Sequence, residues 1–222
     1  MIRITAFKWV PSFARGQVRD LRPRWALEEV GLPYEVRLLD YEDQQGAAYR
    51  AQQPFGQVPV LEMDGETIFE TGAILLAVAE RSGKLLGGGE EERRRILSWL
   101  FAALNSIEPF LMNLAEVDFF LRDDDDKARR RPIVVEALRK RLGELEAAFG
   151  GREYLVGDFS IADVTMSTVL RIIGHTEILE GYPKLAAFKA RCEARPAFKR
   201  AIDGQLADIA AHSAADMKLP AR

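Results

Sequence analysis

Residue periodicity changes once along this chain, at the glycine cluster Gly87-Gly88-Gly89, and that change limits the fold more than any other feature. Before it, strand-like and helix-like segments alternate; after it, every regular segment has helical spacing. A domain boundary therefore falls near residues 83–89. An α/β domain is expected over residues 1–83 and an all-α domain over residues 90–222.

In the first domain, residues 2–9 carry β-branched and aromatic side chains in loose alternation, as a strand does. A turn-rich stretch with Pro11 and Gly16 leads to Arg24-Trp25-Ala26-Leu27-Glu28-Glu29-Val30, whose helical spacing stops at Gly31. Residues 34–39 read as the next strand, and a short helix around residues 46–53 returns the chain across the sheet by a right-handed connection. Asp64-Gly65, between the apolar runs 57–63 and 66–69, is the strongest short-range hairpin signal. Thr71 can then cap a helix that runs to Ser82-Gly83. The expected order is βαβαββα.

The second domain opens with Glu90-Glu91-Glu92, favourable at a helix N-terminus, followed by Ile96, Leu97, Leu100, Phe101, Leu104 and Ile107 at helical spacing. Pro109 should kink or break this helix. The run Asp123-Asp124-Asp125-Asp126 invites a metal-site reading, but consecutive residues point in different directions on any regular element, so it reads as a solvated interhelical loop. Val134, Leu138, Leu142, Leu145 and Phe149 then share one helix face. Ser160-Ile161-Ala162-Asp163 is a capping box that starts an apolar helix. A last pair of segments is punctuated by Pro183 and Pro196, with Cys192 on a core-facing side.

Composition narrows function by exclusion. The 31 Lys and Arg against 34 Asp and Glu give a formal net charge of -3, so no basic footprint nominates nucleic acid or an anionic membrane. The longest apolar run, residues 73–79, is far shorter than the ~18 residues needed to span a bilayer. The N-terminus lacks the apolar stretch and cleavage site of a signal peptide, and a cytoplasmic location is expected. A single cysteine rules out thiolate zinc clusters and an intramolecular disulfide; no metal is expected. Small molecules and proteins remain as partners.

Four segments together resemble the cytosolic glutathione transferase family across nearly the whole chain. They are residues 25–35, Gln57-Val58-Pro59-Val60-Leu61, Glu70-Thr71-Gly72-Ala73-Ile74, and the box Phe159-Ser160-Ile161-Ala162-Asp163. The resemblance implies a thioredoxin-like first domain followed by a helical-bundle domain, glutathione as co-substrate, a homodimer, and an open cleft for an electrophilic acceptor in detoxification chemistry. It also implies a cis bond at Val58-Pro59, with Val58 offering its backbone N–H and C=O to the cysteinyl part of glutathione. Glu70 would pair with the γ-glutamyl ammonium, and Thr71 would hold the α-carboxylate through its amide and hydroxyl at a helix N-terminus. Gln57 sits where it can contact the peptide backbone. A purely structural role, Thr71 as an N-cap and Glu70 as a surface acid, is the competing reading.

The thiol must ionise near neutrality, below its free value of roughly 8.5. The family places a hydroxyl or thiol after the first strand for this. Counting forward from Trp9 points to Ser12; counting back from Leu27 lands among Gln17, Arg19 and Arg22. Ser12 is the candidate catalytic residue, and Arg15, Arg19 or Arg22 can add electrostatic support. No cysteine lies in this loop, which excludes a nucleophilic enzyme thiol there. Trp9, Phe13 and Asn105 are the expected acceptor-pocket residues, beside Phe101, Phe110 and Met112. His175 and His212 receive no catalytic role. Glutathione-dependent reduction of a peroxide or disulfide, and non-catalytic glutathione or partner binding on the same fold, are the alternatives.

Overall fold

The computed structural model describes residues 1–217. It contains two compact units, one formed by Met1–Lys84 with residues 196–217, the other by Leu85–Arg195.

The first unit is built from β1 (Ile2–Phe7), α1 (Leu21–Val30), β2 (Glu35–Leu39), α2 (Tyr41–Gln45), α3 (Ala47–Arg50), β3 (Val60–Met63), β4 (Glu66–Phe69) and α4 (Thr71–Ser82). The sheet order is β2-β1-β3-β4. β1 and β2 are parallel, with Arg3 opposite Glu35 and Phe7 opposite Leu39, and α1 supplies the crossover that parallel neighbours need. β3 is antiparallel to both β1 and β4. This is the thioredoxin-like arrangement expected from the sequence. The hairpin turn holds Asp64 at φ 54° and Gly65 at φ 89°, a doubly left-handed turn that matches the strand twist.

α1 and α4 pack against each other and bury Trp25, Leu27, Ile74, Leu75 and Val78 completely. Each such side chain stabilises the fold by about 1.5–3 kcal/mol. α1 starts at Leu21, ahead of the apolar spacing at Arg24, because Pro23 falls in the first turn, where a missing N–H breaks no helical bond. Gly31 closes the helix at φ 76°, its N–H 2.9 Å from Leu27 O. Where one short helix is expected, there are two. α2 begins from a reciprocal pair, Asp43 N–H to Asp40 Oδ1 at 2.9 Å and Asp40 N–H to Asp43 Oδ2 at 3.2 Å. Gly46, extended at ψ 147°, separates it from α3.

The second unit is helical: α5 (Glu90–Phe101), α6 (Glu108–Ala115), α7 (Asp124–Phe149), α8 (Ile161–Arg171) and α9 (Pro183–Glu193). The break expected at Pro109 takes the form of a π-helical stretch, Ala102–Ile107, directly before α6. Proline has no N–H for the carbonyl one turn back and its ring crowds that carbonyl, so the preceding turn widens. The acidic run is not an interhelical loop. Asp123 caps α7 by accepting from Asp126 N–H at 2.7 Å, and Asp124, Asp125 and Asp126 form the helix's first turn, where negative charge opposes the positive end of the helix dipole. Cys192 is fully buried, which pushes its thiol pKa up and leaves it a core residue.

The last helix, α10 (Pro196–Ala210), belongs to the first unit, although the sequence groups it with residues 90–222. It packs on α1, with the Trp25 and Phe198 rings edge to face at 4.8 Å. A buried polar network adds to that contact: Arg24 Nε donates to Asp20 at 2.8 Å, Arg24 Nη2 to Asp208 at 2.6 Å, and Gln205 Nε2 to Asp20 at 2.7 Å. Its apolar spacing identifies a buried face without saying which partner buries it.

Candidate functional site

Strand register alone brings three of the expected segments to one end of the sheet. Ile4 lies opposite Leu61 and the Val60 N–H donates to Thr5 Oγ1 at 2.7 Å, so the outgoing end of β1 meets the incoming end of β3. Val60 in turn lies opposite Phe69, which sets Glu70 beside Pro59 as β4 leaves the sheet. The turn after β1, the Gln57-Val58-Pro59 segment and the Glu70-Thr71 corner therefore emerge together.

Each segment is held differently. Val58-Pro59 is a cis peptide, with both residues buried and Gln57 exposed. A hydroxyl relay braces it: Val60 N–H to Thr5 Oγ1, Thr5 hydroxyl to Tyr49 hydroxyl at 2.9 Å, and Tyr49 hydroxyl to Gln57 O at 2.7 Å. Tyr49 packs with Leu39, Val58 and Val60 in one apolar cluster, and its burial raises its pKa. No sequence signal pointed to Tyr49, because its partners come from strands and turns far along the chain.

Glu70 occupies the N-cap position of α4 at φ 71°, ψ 122°, a left-handed backbone that a residue with a Cβ rarely adopts, and its side chain is exposed. Thr71 is the first helical residue rather than the cap, and no side chain caps α4. Its hydroxyl is otherwise engaged: Arg22 Nη1 donates to Thr71 Oγ1 at 3.1 Å, with Arg22 only 3% and Thr71 6% exposed. An uncapped helix start presents backbone N–H donors and the positive end of the dipole, a setting for a carboxylate. Arg22, read from the sequence as a possible thiolate stabiliser, faces this corner.

Ser12 opens a short 3-10 turn, Ser12–Ala14, and is exposed, as is Phe13, while Trp9 is half-buried. These three share the loop between β1 and α1. Asn105 is exposed in the π-helical stretch of the second unit. That unit also has a cavity of about 380 Å³ with Arg95, Ser98, Trp99 and Arg152 in its lining, which includes none of the expected site residues. His175 Nε2 lies 2.9 Å from Asp118, and His212 Nδ1 lies 2.9 Å from Asp208 O. Among the described residues, no helix is long and apolar enough to cross a membrane. Nor do those residues hold a group of three or more His, Cys, Asp or Glu side chains suited to a metal ion.

A mixed four-stranded sheet with its helices, followed by a helical domain and carrying these corners at one sheet end, defines a thioredoxin-like domain joined to an all-helical one. Known proteins make the class specific. Residues 13–80 match the family model for the glutathione S-transferase N-terminal domain, and residues 110–202 match a model for the glutathione S-transferase C-terminal domain. The chain is 32% identical over 183 residues to glutathione S-transferase 4 of Zea mays, covering 78% of this chain and 82% of that one. It is 30% identical over 185 residues to a glutathione S-transferase of Antechinus stuartii, covering 79% of each. A glutathione transferase of Burkholderia graminis, solved with two glutathione molecules per subunit, superposes with a TM-score of 0.79 at 26% identity, over 91% of this chain and 87% of that one. The chain belongs to the glutathione S-transferase family.

Proposed function

We propose that this protein is a glutathione transferase that binds glutathione at the Val58, Glu70 and Thr71 corner and activates its thiol for attack on a small hydrophobic electrophile. The observation that carries the reading is the convergence of the cis Val58-Pro59 segment with the uncapped start of α4 at one end of the sheet. Val58 pairs its backbone with the cysteinyl residue in the manner of an added strand. Gln57 contacts the peptide, the Glu70 carboxylate pairs with the γ-glutamyl ammonium, and the Thr71 amide and hydroxyl take the α-carboxylate. The Ser12 hydroxyl donates to the sulfur and favours the thiolate. The thiolate then attacks an electrophilic carbon, a C–S bond forms, and the leaving group departs with its electron pair. Fixing both reactants and stabilising the thiolate supply the acceleration. Trp9, Phe13 and Asn105 contact the acceptor, and the protein acts as a cytoplasmic homodimer in detoxification, without a metal.

A second reading has one supporting observation. The Burkholderia graminis relative holds two glutathione molecules per subunit, which suits an acceptor that is itself a disulfide: the bound thiolate attacks one sulfur, a new S–S bond forms as the old one breaks, and the other sulfur leaves as a thiolate with the electron pair.

Calorimetric titration with reduced glutathione tests the shared core of both readings. One saturable site per subunit is expected, and Ser12→Ala should raise the pH at which the bound thiol ionises, followed by thiolate absorbance. Absence of binding at millimolar glutathione would overturn the proposal in favour of a partner-binding role. Turnover across an electrophile, peroxide and disulfide panel then separates the two chemistries.

A further inference from the structure

The start of α4 lacks a cationic side chain of its own. Thr71 is followed by Gly72, Ala73 and Ile74, so a positive charge for an anion at this corner has to come from another element. α1 brings one: Arg22 is buried, and its Nη1 lies 3.1 Å from Thr71 Oγ1. We propose that Arg22 is a positioning residue of the γ-glutamyl subsite, orienting the Thr71 hydroxyl as a donor to the ligand's α-carboxylate and adding a fixed positive charge behind it. The inference rests on the glutathione reading given above and goes beyond it by assigning carboxylate selectivity to a side chain on α1.

The chemistry of the pair sets the direction of the hydroxyl. A guanidinium has only donors, and a hydroxyl has one proton and two lone pairs. Arg22 can therefore only occupy a lone pair of Thr71 Oγ1, and the Thr71 proton must point elsewhere. The groups at an uncapped helix start are N–H donors, so the complementary partner is an anion with oxygen acceptors. Thr71 is also β-branched, which restricts the rotamers by which its hydroxyl could turn away. An arginine stays charged at any working pH, and at a buried position its field is screened less than that of a surface lysine. The resulting corner is charge-complementary to an amino-acid terminus, with the Glu70 carboxylate for the ammonium and the Arg22-backed hydroxyl for the carboxylate.

The test titrates wild-type, Arg22→Gln and Arg22→Lys proteins with glutathione and with the analogue whose γ-glutamyl α-carboxylate is replaced by hydrogen, 4-aminobutyryl-cysteinyl-glycine. Wild type should prefer glutathione. Arg22→Gln should lose at least about tenfold in glutathione affinity, as for a charge-assisted interaction, but no more than about twofold for the analogue. Arg22→Lys should recover part of the loss for glutathione alone. Equal losses for both ligands would overturn the proposal and make Arg22 a general support of the fold. Equal wild-type affinity for the two ligands would overturn the assignment of Thr71 to the carboxylate, and this inference with it; binding of neither would overturn the glutathione reading itself. If Arg22→Gln does not fold, Arg22→Lys and Thr71→Val carry the comparison. The double variant should then lose less than the two single losses added together, because part of the arginine's effect runs through that hydroxyl, and fully additive losses would refute the proposal.

Discussion

Two helices begin at a hydroxyl residue, α8 after Ser160 and α4 at Thr71, and their ends are completed in opposite ways. At α8 the polar groups close on one another: Asp163 accepts from the Ser160 N–H at 2.9 Å, the Ser160 hydroxyl at 2.8 Å and the Leu155 N–H at 2.8 Å, all buried. At α4 no side chain caps the helix, the residue before it is held at φ 71°, and the hydroxyl is engaged from behind by Arg22. A helix start that satisfies itself contributes to stability; one left open by its own side chains has donors to offer a ligand. Breaking the first should cost folding, and breaking the second should cost binding.

The largest expected effect is at Asp163. In Asp163→Asn the carbonyl can still accept from Leu155, and the Ser160 hydroxyl can turn to accept from the new amide, but the Ser160 N–H loses its acceptor. A buried orphan donor costs about 1–3 kcal/mol, which chemical denaturation will show as a lowered midpoint. Glutathione affinity should not change. The same variant tests a pH effect. Burial outweighs the hydrogen bonds and raises the Asp163 pKa from 3.8 to about 6. The folded protein then holds this proton more tightly than the unfolded chain, so the contribution to stability is complete below pH 3.8 and is lost as pH rises through about 6. The wild-type midpoint should fall across that window, and Asp163→Asn should flatten the fall. Asp20, buried and likewise raised to about 6, should keep part of the slope in place, and a slope that survives undiminished would take the titration away from Asp163.

Thr71→Val is the counterpart, smaller in stability and larger in binding. It keeps the volume and removes the hydroxyl, leaving the Arg22 Nη1 donor without that acceptor. Loss of one hydrogen bond to a charged donor should lower stability by about 1.5 kcal/mol, the low end for such bonds, and glutathione affinity by about tenfold, read by denaturation and calorimetry together. If Thr71→Val proves as destabilising as Asp163→Asn and leaves glutathione affinity intact, the contrast between the two helix starts fails.

How much of this contrast was legible in the sequence depends on distance along the chain. The hairpin at Asp64-Gly65, the end of α1 at Gly31 and the Ser160–Asp163 pair are written in adjacent residues, and each formed where the local pattern placed it. The start of α7 is equally local, yet its run of acids reads as a loop where the structure has a cap and a first helical turn. The dipole that favours Glu90, Glu91 and Glu92 at the start of α5 favours Asp124, Asp125 and Asp126 just as well, and Asp123 is an ordinary N-cap. What spacing could not supply is pairing across the fold. Arg22 meets Thr71 and Tyr49 meets Thr5 only after the sheet has formed, and α10 finds α1 from the far end of the chain. The corner residues Val58, Glu70 and Thr71 were legible through family resemblance, whereas the side chains that hold them were not.

The smallest expected effect isolates the strained backbone at the open end. At φ 71°, ψ 122° a glutamate carries a conformational cost that glycine does not, of about 1 kcal/mol. Glycine also gains freedom in the unfolded chain, which offsets part of the relief, so Glu70→Gly should change stability relative to wild type by less than about 1 kcal/mol. Glu70→Ala is the sharper reference. It removes the same carboxylate but keeps a Cβ, and with it the strain. Both variants should lose glutathione affinity to the same extent, since both lack the partner for the γ-glutamyl ammonium. Glu70→Gly should nevertheless be the more stable of the two, by up to about 1 kcal/mol in chemical denaturation. Equal stability would mean that the corner relaxes without cost and that the φ at residue 70 is no constraint. A difference in stability with equal loss of binding would show that the strain serves to aim a carboxylate, because the fold itself is better off without it.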